Sequence, residues 1–213
     1  MSDAVGGDPI PEPPAPRKPW VALVATLLVV AAVVAVVVVL HAQKVTPFLP
    51  AAERDCGAAK ALIAPGGTLP MDCEVKDLAS NHVMTLAQYS AGKPMVINFW
   101  ASWCESCIQE MPGLQQVYKA AAGQVSFLGL DLLGVQGEIA SYATQFAHQR
   151  AVTYPLAYDD NALLYSRVVL RFLPPTTVFV KPDGTMVEAH IGELTPEELR
   201  TLIATDLGVK VAA

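Results

Sequence analysis

Apolar positions fall along this chain in three regimes, and each predicts a different kind of element. Residues 1–19 carry Pro9, Pro11, Pro13, Pro14, Pro16 and Pro19 and few apolar side chains, a polyproline-prone tail with no core to contribute. Val21 to Leu40 is the reverse, twenty consecutive Val, Ala, Leu and Thr residues. As a helix such a run extends about 30 Å, the hydrocarbon thickness of a bilayer, and with Trp20 at its edge it predicts a transmembrane anchor over 20–40. The competing reading is a cleaved signal peptide, whose apolar stretch usually stops at about 7 to 15 residues before a small-x-small site. Leu40-His41-Ala42 is a poor site of that kind, and no cysteine nearby offers a lipid tether. Arg17 and Lys18 abut the start of the segment and only Lys44 closely follows it, so the N-terminus is expected in the cytoplasm and the bulk of the chain outside.

The third regime begins after a stalk. Residues 41–69 show little periodicity and several breakers, Pro47, Pro50, Pro65, Gly66 and Gly67, with one short helix expected around 51–63. Beyond Cys73, short apolar runs alternate with helical patterns. Strands are expected at 83–86, 95–100, 125–132, 154–158, 176–180 and 185–191, and helices at 104–122, 137–149, 161–170 and 195–206. Lys181-Pro182-Asp183-Gly184 reads as a tight turn, and Thr195-Pro196-Glu197-Glu198 as a capping box with proline at the first helical position. Strand-helix-strand units followed by a hairpin and a helix predict an α/β domain over 70–213, a mixed sheet sandwiched between helices.

Composition changes this picture in two respects. The net charge of −6, with no basic stripe after the apolar segment, argues against a nucleic-acid partner. The four cysteines form two local pairs, and an extracytoplasmic compartment permits disulfides. Cys56 and Cys73 are expected to form a structural disulfide stapling the stalk to the domain, an entropic gain of about 3 kcal/mol for a loop of that size. The alternative, an accessory redox pair, lacks the C-x-x-C spacing and a helix start.

Cys104 and Cys107 have both. The apolar run Met95 to Trp100 arrives as a buried strand, and the two thiols stand where the next helix begins. Unpaired amides and the positive dipole end at that position favour the thiolate of Cys104, the form that attacks disulfides. Cys107, one turn on, is placed to resolve a mixed disulfide. A half zinc site is the competing reading, but zinc needs two further ligands, and there is no second C-x-x-C or H-x-x-x-H. Glu105, between the cysteines, opposes the dipole and raises the cost of the thiolate, which favours a reducing couple.

The element order, with Asn98-Phe99-Trp100-Ala101-Ser102-Trp103-Cys104-x-x-Cys107, then Glu110 and Pro112, later Pro175-Thr176-Thr177 and Asp183-Gly184, resembles the thioredoxin fold. Within it the chain looks like membrane-anchored TlpA/ResA-type thiol-disulfide oxidoreductases, over about residues 70–208. The resemblance implies that Cys104 is the exposed nucleophile and Cys107 the buried resolving thiol. It implies that Glu110, about 60° around the helix from Cys107, exchanges a proton with it. Asn98 stands where cytosolic thioredoxins keep a buried aspartate, a role that Glu110 is expected to replace. Pro175 is implied to be the cis-proline facing the cysteines, and Pro112 to kink the active-site helix. The residue before the cis-proline offers its backbone to substrate in this family; here it is Pro174, which has no N–H to donate. Trp100 and Trp103 are expected as core and rim aromatics, with Trp103 shaping the substrate contact.

The family implies no cofactor and no metal. Its implied clients are protein disulfides such as those of apocytochrome c, with recharging by a membrane thiol carrier of the DsbD or CcdA kind. The same parts run in reverse make a disulfide-forming oxidase. A copper metallochaperone of this fold would add a distant histidine, for which His82, His148 and His190 are available, but usually spaces its cysteines by three.

Overall fold

The computed structural model describes residues 61–212 together with Val34, Cys56 and Gly57. The chain divides into two compact units, 1–50 and 51–213, and the second holds every described residue except Val34. The expected tail and most of the anchor and stalk therefore lie outside the described residues. Among the described residues no helix is long and apolar enough to cross a membrane.

Among the described residues of the second unit, seven strands and five helices alternate: β1 (Glu74–Asp77), β2 (Val83–Thr85), α1 (Leu86–Ser90), β3 (Met95–Trp100), α2 (Glu105–Ala121), β4 (Ser126–Asp131), α3 (Ala140–Gln149), β5 (Leu156–Tyr158), α4 (Tyr165–Val168), β6 (Thr176–Val180), β7 (Met186–Ile191) and α5 (Pro196–Asp206). The strands form a sheet of order β2-β1-β5-β4-β3-β6-β7. β3, β4 and β5 run parallel, whereas β6, β7, β1 and β2 join antiparallel. Every residue of β3 and β6 is buried, which is why both read as uninterrupted runs rather than alternating ones. Phe99, Trp100, Tyr165 and Phe179 are the largest side chains of the core. Full burial of one such ring contributes roughly 2–3 kcal/mol.

Local chemistry sets the boundaries. Thr195 Oγ1 accepts from Glu198 N at 3.2 Å while Thr195 N donates to Glu198 Oε2 at 2.9 Å, the capping box that starts α5 at Pro196. The β6–β7 hairpin turns on Gly184, whose φ of +86° and proximity to Met71, 2.7 Å from a Cβ built there, exclude a side chain. Pro112 lies inside α2 and leaves the carbonyl of Ile108 without its usual donor, yet the helix runs on to Ala121.

Three expectations are revised. The described end of the stretch read as a stalk is packed on the domain: Ile63 and Leu69 are core residues, and Ile63 N, Gly66 N and Leu69 N donate to Arg167 O, Met186 O and Gly184 O. β1 lies outside the expected strands, because only Val75 of its four residues is apolar and buried. The helix expected over 161–170 is broken: a short 3-10 turn at Asp160–Ala162, with Asn161 at φ 53°, precedes the single turn of α4. Asp159 imposes the break, its carboxylate accepting from Leu164 N and Tyr165 N at 2.9 and 2.8 Å. Cys56 and Cys73 are disulfide-bonded, and Arg167 Nη1 donates to Cys56 O at 3.1 Å, tying the bridge to α4.

Candidate active site

The parallel strand β3 delivers Trp100 into the core, and Ala101 to Trp103 then carry the chain to the start of α2. Cys104 is the N-cap of that helix, and its sulfur accepts from Cys107 N at 3.3 Å. This is the interaction that stabilises a thiolate at a helix start, built from the sulfur itself in place of the usual hydroxyl or carboxylate. The Cys104–Cys107 pair is disulfide-bonded. Both sulfur-bearing residues are nearly covered, at 5% exposure for Cys104 and 2% for Cys107, so Cys104 is the outer partner by a narrow margin.

Glu110 is buried one turn beyond Cys107. Its Oε1 accepts from Asn98 Nδ2 at 3.3 Å and from Thr177 Oγ1 at 3.4 Å, and Asn98 Nδ2 also donates to Thr177 Oγ1 at 3.0 Å. Its Oε2 has no partner among the described residues. Burial pushes the carboxyl up to about 8, opposed by the Thr177 hydrogen bond and reinforced by the charge of Glu193. A carboxyl at about 8 lies close to the ordinary thiol value of about 8.5. Thr177 is absent from the expected site, although it stands on β6 only two residues beyond Pro175; that spacing is the available signal.

The Pro174–Pro175 peptide is cis. Since Phe99 pairs with Thr176 in antiparallel register, Pro175 falls level with Trp100, the last residue of β3, from which the chain runs on to the cysteines. The preceding loop is pinned by Tyr165, whose hydroxyl accepts from Leu173 N at 2.8 Å and lies 3.2 Å from Thr176 Oγ1. Phe172 packs on Tyr165 and on Trp103, at 5.3 and 6.1 Å between ring centroids. Trp103 is partly exposed and its Nε1 donates to Val135 O at 3.3 Å. Glu105 is exposed and accepts from Gln109 Nε2. In water its charge is screened, which weakens the opposition to the helix dipole expected of it.

A second acidic group supports the loop from below. Glu138, itself buried, accepts from Ser102 N at 3.0 Å and from Ser102 Oγ at 2.8 Å. Asp131, at the end of β4, is fully buried with neither oxygen partnered among the described residues, and burial with the charges of Glu138 and Asp159 pushes it up to about 8. Burial likewise raises Asp159 to about 7, against the pull of its backbone donors. None of these three is an expected site residue, because an acidic residue in a sequence is by default a solvated one. His82 and His148 are not joined to the cysteines, and His190 Nδ1 lies 3.8 Å from Glu188 Oε1. Among the described residues no group of three or more His, Cys, Asp or Glu is arranged to hold a metal ion.

Residues 65–189 match the AhpC/TSA family. The chain is 30% identical over 141 residues to the thiol-disulfide oxidoreductase ResA of Geobacillus kaustophilus, covering 66% of this chain and 76% of that protein. It is 29% identical over 136 residues to the ResA of Oceanobacillus iheyensis, covering 62% and 68%. The crystal structure of StoA from Bacillus subtilis superposes with a TM-score of 0.51 at 22% identity, over 59% of this chain and 91% of that one, a likeness of fold. With the paired cysteines at the helix start and a cis-proline at the entry to β6, these similarities place the chain in the AhpC/TSA family, as a thioredoxin-like protein-disulfide oxidoreductase of the TlpA/ResA type.

Proposed function

We propose that this enzyme is tethered to the membrane by residues 21–40 and reduces disulfides of client proteins on the extracytoplasmic side. The observation that carries the redox reading is the Cys104–Cys107 disulfide at the start of α2, with Glu110 buried one turn further along the same helix. In the reduced enzyme the Cys104 thiolate attacks one sulfur of a client disulfide, forms a mixed disulfide and expels the other client sulfur as a thiolate. Glu110 then takes the proton of Cys107, whose sulfur attacks that of Cys104. The second client thiol leaves, two electrons have passed to the client, and the enzyme is left with Cys104 and Cys107 joined. A dithiol carrier must then return two electrons; a membrane carrier of the DsbD or CcdA kind, and apocytochrome c as client, fit the family resemblance.

The surface around the cysteines suits an extended client segment. Trp103, Leu170, Phe172, Leu173 and Ile191 are all exposed, and Ile191 pairs with Thr176 beside the cis-proline. Pro174 presents a carbonyl but no amide, so one main-chain bond to the client is missing, and apolar contact with this rim takes a larger share of recognition.

The opposite direction, oxidation of client thiols, draws support from the amide of Cys107 on the Cys104 sulfur, since stabilising the thiolate stabilises the reduced form. Equilibration of Cys104/Cys107 against a glutathione or dithiothreitol buffer decides between them. A potential near that of thioredoxin, about −270 mV, supports the reductase; one approaching about −120 mV makes the chain an oxidase.

A further inference from the structure

The roles proposed for Cys107 and Glu110 require a proton to enter and leave the carboxyl of a residue that is 3% exposed. Of its two oxygens, Oε1 is held by Asn98 and Thr177, and Oε2 is buried without a partner among the described residues. A cavity of about 400 Å³ lies beside this part of α2, between the helix and the turn leading into α5, lined by Glu110 together with Gln109, Gly113, Gln116, Glu193 and Pro196. It has room for several waters and polar groups on both walls to hold them. The walls meet closely at one end, where a Cβ on Gly113 would come within 3.1 Å of Pro196 Cγ, and the exposed Glu193 belongs to the opposite wall.

We propose that Glu193 is a positioning residue for Glu110, and that the cavity between them is the route by which the buried carboxyl exchanges its proton with solvent. The other groups facing Glu110 do not offer this. Asn98 on β3 does not titrate, Thr177 on β6 is engaged with Asn98 and Glu110 itself, and Tyr154, ahead of β5, has a buried hydroxyl without a partner among the described residues. Glu193 is the carboxylate that lines the cavity from the solvent side, and its negative charge favours the protonated form of Glu110. A surface carboxylate of this kind both attracts protons to the mouth of the cavity and holds them on the group inside.

The inference rests on Glu110 as the proton partner of Cys107, and the test separates the two. The full-length protein is reduced, mixed with a small aromatic disulfide, and release of the second thiol is followed by stopped flow from pH 5.5 to 9.5 at low and high salt. The wild type is expected to show an inflection near pH 8. Glu193→Gln should move it to lower pH, with roughly a two- to fivefold larger ionised fraction of Glu110 at pH 7, the range for one surface charge. High salt should move the wild type in the same direction and leave Glu193→Gln in place. Glu193→Asp should keep the wild-type profile, and Glu193→Ala should shift the inflection in the same direction as Glu193→Gln. A Glu193→Gln profile superimposable on the wild type, with the inflection still lost in Glu110→Gln, overturns this inference alone. An inflection that persists in Glu110→Gln overturns the proton role of Glu110, and this inference with it.

Discussion

Replacing Glu110 by glutamine should change the way stability depends on pH, and the size of the change follows from where the carboxyl sits. Burial raises its proton affinity from the ordinary 4.5 to about 8. The folded state therefore binds more protons than the unfolded state across that interval, and stability falls as pH rises through it. The loss begins near pH 4.5, proceeds at about 1.4 kcal/mol per pH unit, and totals about 5 kcal/mol once pH passes 8. Glutamine keeps an oxygen for Asn98 and Thr177 but places an amide where Oε2 has no partner among the described residues, a cost of about 1–3 kcal/mol that does not depend on pH. The variant should thus be the less stable protein at pH 5 and the more stable one at pH 8. Urea unfolding of the oxidised protein at pH 5, 6, 7 and 8 measures this, with Asp131 and Asp159, also raised, supplying a background slope common to both proteins. Parallel stability curves for wild type and Glu110→Gln would refute the reasoning.

Other substitutions separate recognition, loop support and staple. Pro174→Ala restores a main-chain donor beside the cis bond; one hydrogen bond is worth about 0.5–1.5 kcal/mol, so KM for peptide disulfides should fall roughly two- to tenfold while turnover of a small aromatic disulfide stays unchanged. Glu138→Ala removes the acceptor of Ser102 N and Oγ and should lower the guanidinium midpoint by the equivalent of about 1–3 kcal/mol, with Trp103 fluorescence reporting the loosened loop. Cys56→Ser combined with Cys73→Ser should cost about 3 kcal/mol of stability and leave disulfide turnover intact, as measured by denaturant titration and a turnover assay on the same sample.

The parts of the fold legible in the sequence are those where one physical signal dominates. β3 and β6 have the expected bounds because a strand buried on both faces reads as a short, mostly apolar run, here carrying only Asn98, Thr176 and Thr177 as buried polar residues, and α5 starts where its capping box and proline place it. β1 escapes that logic, since Glu74, Lys76 and Asp77 surround a single buried valine and its pairing is decided by β5 and β2 rather than by its own residues. The break in the 161–170 segment depends on a carboxylate, Asp159, reaching amides five and six residues ahead, which no helical period reveals. At the site, Cys104 and Cys107 announce themselves by spacing and residue type, and Pro175 by the family resemblance. Thr177, Glu138 and Asp131 do not, because their roles come from burial and from partners distant in the chain.

Trapping of the mixed disulfide tests the central claim most directly. Reduced Cys107→Ser protein, mixed with a peptide disulfide and analysed by mass spectrometry after proteolysis, should accumulate a one-to-one adduct on Cys104, because the attacking sulfur remains and the resolving sulfur is gone. Cys104→Ser should form none, its remaining thiol being the more deeply buried of the pair. An adduct on Cys107 in the Cys104→Ser protein, or none on Cys104 in the Cys107→Ser protein, would contradict the account.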